Sequence, residues 1–235
     1  MRVALLYSGG KDSTYAIDYC RSRGWDIRYL LSVKPTRKDC FLFHFATVEH
    51  TPKLAEMLGL RHILVGCDVA DPALEADIVK KEIETQQEHD PVDAVVLGGT
   101  GLQETQLRSV QDALRVMKIE VFAAHAGMDH DAVMEEMLAR GYVFLITQVA
   151  SDGLLPWLGK TLTKENLPQL LADSRKYGFH CGGEGGYYDT LTIDGPIFAK
   201  RLEVVGMKKL VEDAYCGHVE LSLKIKEKPE AVISF

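Results

Sequence analysis

The sequence predicts an α/β fold in which a doubly wound, mostly parallel sheet precedes a smaller C-terminal α+β region. Up to about residue 150 the chain repeats one unit, a short β-branched apolar run followed by a turn and a helical pattern. The apolar runs are nearly uniform, which is typical of parallel strands covered by helices on both faces. We therefore expect a main domain over residues 1–150 and a region that closes over the substrate at residues 151–235.

The predicted elements of the main domain alternate in order along the chain. The strands are expected at residues 3–7, 27–33, 62–66, 94–98, 120–123 and 142–148. The helices repeat apolar residues at helical spacing and are expected at residues 13–23, 52–58, 72–89, 102–117 and 131–140. In such a sheet, ligands bind at the carboxyl ends of the strands.

After Ala150 the pattern changes. Residues 151–162 are irregular, residues 164–177 have helical spacing, and residues 182–186 are rich in glycine. Alternation typical of antiparallel strands follows at residues 191–193, 199–205 and 220–225. We expect this region to cover one edge of the parallel sheet.

Charge and hydropathy exclude several classes of function. The 27 Lys and Arg against 34 Asp and Glu give a net charge of −7. A broad surface for nucleic acid needs many basic residues on one face, so no direct nucleic-acid partner is expected. No apolar run approaches the roughly 18 residues of a membrane span, and the N-terminal run is too short for a signal peptide. We therefore expect a cytoplasmic protein with no membrane partner.

The cysteines are odd in number and none belongs to a C-x-x-C pair, so neither a disulfide framework nor a cysteine zinc site is indicated. Reduced thiols are expected at Cys20, Cys40, Cys67, Cys181 and Cys216.

A glycine-containing hexapeptide lies between the first predicted strand and its helix. Its residues are Ser8, Gly9, Gly10, Lys11, Asp12 and Ser13. A glycine turn there exposes backbone N–H groups beside the positive end of a helix, and the serines add hydroxyl donors. Lys11 supplies a charge for phosphate oxygens, and Asp12 can orient the loop or hold Mg²⁺. The Walker P-loop spacing is not met, which leaves a different phosphate loop or a turn whose serines cap the helix.

For other residues near the expected cleft, the sequence leaves both a functional and a structural interpretation open. Gly98 and Gly99 follow a strand and either line a binding pocket or allow a tight exit from the sheet. His44 is either catalytic or structural. The second glycine-rich segment is either a close-approach loop or a simple turn, and it contains Gly182, Gly183, Glu184, Gly185 and Gly186.

The hexapeptide resembles the PP-loop of the ATP pyrophosphatases, which have a Rossmann-like fold of the adenine nucleotide α hydrolase type. That class binds the pyrophosphate portion of ATP and adenylates a carbonyl oxygen. The stretch from Cys181 to Leu191 resembles the glycine-glutamate signature of the diphthine–ammonia ligase family. Similarity extends from Val3 to about Phe198, with further matches at residues 43–44, 102–104, 153–154 and 157–160.

The resemblance implies an ATP-dependent carbon–nitrogen ligase that adenylates diphthine on translation elongation factor 2 and amidates it with ammonia, releasing AMP and pyrophosphate. ATP and Mg²⁺ are the implied cofactors, with Asp12 as metal ligand. The implied catalytic residues are Lys11, Asp12 and Glu184. ATP would contact residues 8–13 with Gly98 and Gly99, and the acceptor would contact His44 and residues 182–186. Elongation factor 2 and ammonium are the implied partners, and a homodimer is left open.

The chain departs from the family pattern on the side expected to bind the acceptor. Tyr187 and Asp189 stand where family members carry glutamate, and residues 124–126 replace a Pro-Leu-Trp element. Two alternatives therefore stay open, a PP-loop ligase for another carboxylate and a module that binds ATP or AMP without catalysis. Lys11 and Asp12 argue against the second, because a sensor has no departing pyrophosphate to neutralise.

Overall fold

The computed structural model describes residues 1–37, 40, 42–43, 47–99 and 104–228. Its first sheet is parallel throughout, with the spatial order β3-β2-β1-β4-β5. The strands of this sheet are β1 (Arg2–Leu6), β2 (Asp26–Pro35), β3 (His62–Cys67), β4 (Ala94–Leu97) and β5 (Glu120–Ala123). The doubly wound α/β prediction is confirmed.

Helices cover both faces of this sheet. They are α1 (Lys11–Ser22), α2 (Thr51–Leu58), α3 (Pro72–Gln87) and α4 (Glu104–Leu114). Successive residues of β1 point to opposite faces. Val3 and Leu5 therefore share a core with α1 and α2, whereas Ala4 and Leu6 share one with α3 and α4. Burial on both faces explains why the strands have a continuous apolar composition.

The order of the strands reverses beside β1. The chain proceeds outward from β1 through β2 to β3, then crosses to β4 on the other side of β1. At such a switch point the two connections leave in opposite directions, and a crevice opens at the carboxyl ends of the strands. The segment from Ser8 to Gly10 and the first turn of α1 lie at this crevice.

A second, antiparallel sheet follows, with the order β7-β6-β10-β9 and with β8 on β6. Its strands are β6 (Val143–Ala150), β7 (Thr161–Leu162), β8 (Tyr188–Asp194), β9 (Lys200–Val211) and β10 (Cys216–Glu227). Helices α5 (His130–Ala139) and α6 (Leu167–Tyr177) pack against it.

The expectation that residues 142–148 continue the parallel sheet is wrong, because β6 pairs only with antiparallel strands of the second sheet among the described residues. Residues 144–147 are all buried. A central strand covered on both faces has the same apolar composition in either kind of sheet, so composition alone misplaces it. The domain division at residue 150 stays a prediction.

Element ends differ from the predictions by a few residues. The helix after the hexapeptide begins at Lys11 rather than at residue 13, so three residues of the hexapeptide form its first turn. Strands β9 and β10 are longer than predicted and pair along most of their length. Within the described part of the chain, we find no helix with the length and apolar character needed to cross a membrane.

Candidate functional site

The hexapeptide forms a turn whose backbone is aimed into the crevice. Gly9 has a φ of +78°, a left-handed conformation that favours glycine. Gly10 is extended and precedes the first residue of α1, and it has no side chain to cap the helix. The hydroxyl groups of Ser8 and Ser13 lie 3.1 Å apart. The turn therefore leaves the N-terminus of α1 open toward the cleft, where the helix dipole favours an anion.

Lys11 and Asp12 form an ion pair at the N-terminus of α1. The Lys11 Nζ atom lies 2.5 Å from Asp12 Oδ2 and 5.7 Å from the centre of the Tyr188 ring. Lys11 is only 4% exposed, so its charge is directed into the cleft rather than into solvent. Among the cleft-lining residues that the structure describes, it is the only lysine or arginine.

Gly98 allows β4 and α1 to approach closely. A Cβ atom at Gly98 would lie 2.4 Å from the Ser13 amide nitrogen and 2.5 Å from the Asp12 carbonyl carbon. Both contacts are with backbone, which cannot rotate away. Gly99, with a φ of +83°, adjoins the second glycine-rich segment, since its Cβ would lie 2.9 Å from Glu184 Oε1. Both glycines line the cleft, and their part in nucleotide binding stays a prediction.

The second glycine-rich segment forms the opposite wall. Gly182, Gly183 and Glu184 line the cleft, whereas Gly185 and Gly186 are not among its lining residues. The latter two have φ values of +89° and +82° and form the turn that leads into β8. The fold thus brings Glu184 into the same cleft as the hexapeptide, although more than half of the chain separates them in sequence.

Glu184 is buried and has a histidine beside it. Its Oε1 atom lies 3.4 Å from His130 Nε2. The His130 ring meets the His180 ring edge to face, with 4.2 Å between centres. Burial, and then the nearby His130, lower the pKa of His180, although Glu184 acts in the opposite direction. Sequence reasoning missed both histidines. His130 begins α5 and is far from the glycine segment in the chain, whereas His180 precedes that segment closely, and this position is the signal that could have identified it.

Strand β8 holds the hexapeptide in place. The Lys11 N–H donates to Thr190 Oγ1 at 3.0 Å, and the Thr192 N–H donates to the Gly9 carbonyl at 2.9 Å. The Thr192 hydroxyl also donates to Thr14 Oγ1 at 3.1 Å. The sequence indicates none of these bonds. They join the second sheet directly to the loop of the first.

The remaining wall is apolar. It is lined by side chains from β1, β2, β4, α4 and the connection after β2, namely Leu6, Leu31, Val33, Leu42, Phe43, Leu97 and Leu107. A polar end beside an apolar wall suits a nucleotide, whose phosphates and base need these two environments. His44, like residues 102–103 of the sequence resemblance, lies outside the described residues.

The positions that depart from the family pattern lie in different places. Asp189 lines the cleft, whereas Tyr187 packs against the core of the second sheet. The His125 ring stacks on Tyr15 with 4.8 Å between centres, and burial lowers its pKa. Only Asp189 of these three is therefore placed to meet a ligand in the cleft.

Carboxylates are available for a metal ion. Asp12, Glu184 and Asp189 line the same cleft. Their oxygen atoms are the kind of ligand that Mg²⁺ takes together with substrate phosphates. The donor set of the cleft therefore fits Mg²⁺, and the assignment of Asp12 as its ligand stays a prediction.

Comparisons with known proteins show what this chain resembles. The sequence model of the diphthamide synthase N-terminal domain matches residues 1–117, and that of the diphthamide synthase C-terminal domain matches residues 129–225. The diphthine–ammonia ligase of Mus musculus is 29% identical over 99% of this chain and 95% of its own length. That of Danio rerio is 29% identical over 92% of this chain and 91% of its own length. The crystal structure of a predicted tRNA methyltransferase subunit from Methanocaldococcus jannaschii has a TM-score of 0.44 at 12% identity, over 83% of this chain and 98% of that one.

Proposed function

The chain belongs to the diphthamide synthase family, and from this premise we propose that it uses ATP to amidate the diphthine carboxylate of translation elongation factor 2 with ammonia. It is an enzyme of the ATP-dependent diphthine–ammonia ligase type. One observation carries the proposal. A charged phosphate loop and a buried glutamate face each other in one cleft, with Gly98 against the loop and Gly99 beside the glutamate.

The proposed orientation of ATP rests on the difference between the polar end and the apolar wall of the cleft. The phosphates lie at the N-terminus of α1, where Lys11 and the loop amides neutralise and hold them. The adenine lies against the apolar wall that includes Leu31, Val33 and Phe43. This orientation directs the α-phosphorus toward the second glycine-rich segment, where the acceptor enters.

Lys11 alone does not balance the charge of a triphosphate. A bound Mg²⁺ would supply further positive charge beside the phosphates, and Asp12 is the residue that would hold it. Asp12 would then exchange its ion pair with Lys11 for the metal, which frees the Lys11 ammonium to contact the departing pyrophosphate.

The proposed reaction has two displacements. A carboxylate oxygen of diphthine attacks the α-phosphorus in line with the leaving pyrophosphate, and the P–O bond to pyrophosphate breaks. Ammonia then attacks the activated carbonyl carbon, and AMP leaves with the electron pair of the C–O bond. Positioning and charge neutralisation supply most of the rate enhancement in such reactions. Glu184 either holds ammonium at the acceptor side or accepts the proton that the attacking nitrogen loses.

A second candidate is a PP-loop ligase for another carboxylate. The observation that favours it is Asp189, which lines the cleft where the family pattern has glutamate. The shorter side chain leaves more room beside the acceptor.

The experiment measures AMP, pyrophosphate and amide formation with ATP, Mg²⁺ and ammonium. Three reactions are compared, one with diphthine-bearing elongation factor 2, one with the unmodified factor and one with a set of small carboxylates. The proposal expects AMP and diphthamide only with the diphthine-bearing factor. AMP formed only with a small carboxylate would favour the second candidate, and no AMP under any condition would refute both ligase proposals.

A further inference from the structure

A second cluster of ligand-type side chains lies behind the cleft wall. Cys40 is in the connection after β2, Cys67 is the last residue of β3, and Glu75 is in the first turn of α3. The two sulfur atoms and a carboxylate oxygen all lie within 4.8 Å of one another. Cys67 is 1% exposed and Glu75 is fully buried. The cluster combines soft and charged donors, and Cys67 and Glu75 are shielded from solvent whereas Cys40 is half-buried.

The orientation of the side chains supports a shared function. Both thiols point to the same carbonyl, with the Val69 oxygen 3.1 Å from Cys40 Sγ and 3.5 Å from Cys67 Sγ. Glu75 Oε2 accepts the Leu42 N–H at 2.7 Å, which fixes the carboxylate beside the segment that carries Cys40. These contacts hold the two sulfur atoms and the carboxylate around one small volume.

We propose that Cys40, Cys67 and Glu75 form a binding site for Zn²⁺ or a similar thiolate-preferring divalent ion. Thiolates and carboxylates are both ligands that Zn²⁺ takes, and these three donors leave a fourth position for water or another donor. Zn–S bonds of about 2.3 Å in a tetrahedron place two sulfur atoms about 3.8 Å apart, so the cluster contracts by at most about 1 Å on binding. Two S–H bonds break and their protons go to solvent while two Zn–S bonds form, with no change in oxidation state.

The site differs from the proposed magnesium position in both chemistry and location. The cleft offers carboxylates toward phosphate, which suits a hard ion, whereas this cluster offers sulfur. Metal binding at this cluster would nevertheless affect the wall of the cleft. Leu42 follows Cys40 closely and lines the cleft, and its carbonyl accepts a hydrogen bond of 2.5 Å from Gln106 on α4. A metal ion would fasten this part of the apolar wall to β3 and α3.

The test uses Co²⁺ as a spectroscopic probe on the full chain, reduced with a phosphine and freed of metal. We expect one Co²⁺ per chain with the intense near-ultraviolet absorption of thiolate coordination, and we expect Zn²⁺ to displace it. Cys40→Ser and Cys67→Ser should each abolish that absorption. Cys216→Ser is the matched control, and it should keep the absorption because Cys216 lies in the second sheet.

Two further measurements separate a metal site from a purely structural cluster. Glu75→Gln keeps an acceptor for the Leu42 N–H but removes the charge, so Zn²⁺ affinity should fall at least about tenfold while the fold is retained. Zn²⁺ loaded at one equivalent should raise ATP affinity about fivefold, as expected for coupled sites.

If the Cys67→Ser variant does not fold, the variant at the less buried position, Cys40→Ser, provides the test of thiolate coordination. No thiolate absorption in the folded, reduced chain would overturn the proposal, as would absorption that survives in Cys40→Ser. Both outcomes are independent of the ligase activity.

Discussion

At the scale of single residues, the charge of the cleft is concentrated on few side chains. Lys11 provides the positive charge, and three carboxylates oppose it among the described lining residues. Lys11 is buried. If Asp12 holds the proposed metal ion, the Lys11 ammonium group would lose its ion-pair partner and would have the phosphates of ATP beside it instead. The consequence of removing it should therefore be large and specific to the reaction.

Lys11→Ala should lower kcat at least about 10²-fold to 10³-fold, which is the usual cost of deleting one group that stabilises developing negative charge. AMP formation at saturating ATP measures it. Lys81→Ala, on the exposed face of α3, is the control and should leave kcat unchanged. Activity within tenfold of the unsubstituted chain would refute the assignment of the hexapeptide as the phosphate loop.

Glu184→Gln tests the acceptor side separately. The substitution keeps the volume of the side chain and removes its charge, so ATP affinity should change less than about twofold. Amide formation should fall about 10²-fold or more, because proton removal by a positioned carboxylate contributes on that order. Titration calorimetry with ATP and a mass measurement of the product give the two values. Equal losses of ATP affinity and product would instead place Glu184 on the nucleotide side.

At the scale of secondary-structure elements, the site depends on how closely β4 approaches α1. Gly98 is the point of contact, and the atoms it meets are backbone atoms of Asp12 and Ser13. Any side chain there must separate the strand from the first turn of the helix. That turn carries the amides and the lysine proposed to bind phosphate, so packing and binding are coupled.

Gly98→Ala should therefore lower both stability and ATP affinity. Forcing one methyl group into a packed position costs about 1–3 kcal/mol of unfolding free energy. Gly66→Ala is the matched control, because Gly66 also lies in a strand of the parallel sheet and a Cβ there meets nothing within 4 Å. Urea unfolding and ATP titration check both variants. A Gly98→Ala protein with unchanged ATP affinity would show that this contact does not position the loop.

Features that are local in the sequence could be predicted, whereas features made by distant segments could not. The hexapeptide is contiguous and follows a strand, so its residue types indicate its place at the switch point. The Lys11 N–H donates to Thr190 and the Thr192 hydroxyl donates to Thr14, and each of these bonds joins residues almost 180 positions apart. Neither periodicity nor composition contains that information. The same limit applies to Cys40 and Cys67, which have no recognisable metal-ligand spacing.

At the scale of the whole molecule, the two sheets share one hydrophobic core. Leu191, Leu202 and Leu223 of the second sheet pack in the same cluster as Leu5 and Leu54 of the first part of the chain. The net charge of −7 is compatible with a phosphate site, because the groups proposed to contact phosphate, Lys11 and the amides at the start of α1, are local. A shared core also predicts that both sheets unfold together, so a change in the ionisation of buried groups should affect the stability of the entire chain.

One buried and two half-buried histidines make that stability depend on pH. Burial is the main cause that lowers the pKa of His62, His125 and His180 in the folded chain. Unfolding restores a pKa near 6.5, so just below that pH the unfolded chain binds more protons than the folded chain. The contribution of these histidines to the free energy of unfolding should thus be nearly constant well above pH 6.5 and fall as the pH is lowered toward 5.5. That interval stays above the range of ordinary carboxyl groups. Each proton taken up on unfolding contributes about 1.4 kcal/mol per pH unit.

Urea unfolding at pH 7.5 and 5.5 measures the change in the free energy of unfolding. His125→Gln should reduce it, whereas His89→Gln, at an exposed position of the chain, should not. Greater stability at pH 5.5 would contradict the sign of this prediction, because it would require the folded chain to bind the additional protons.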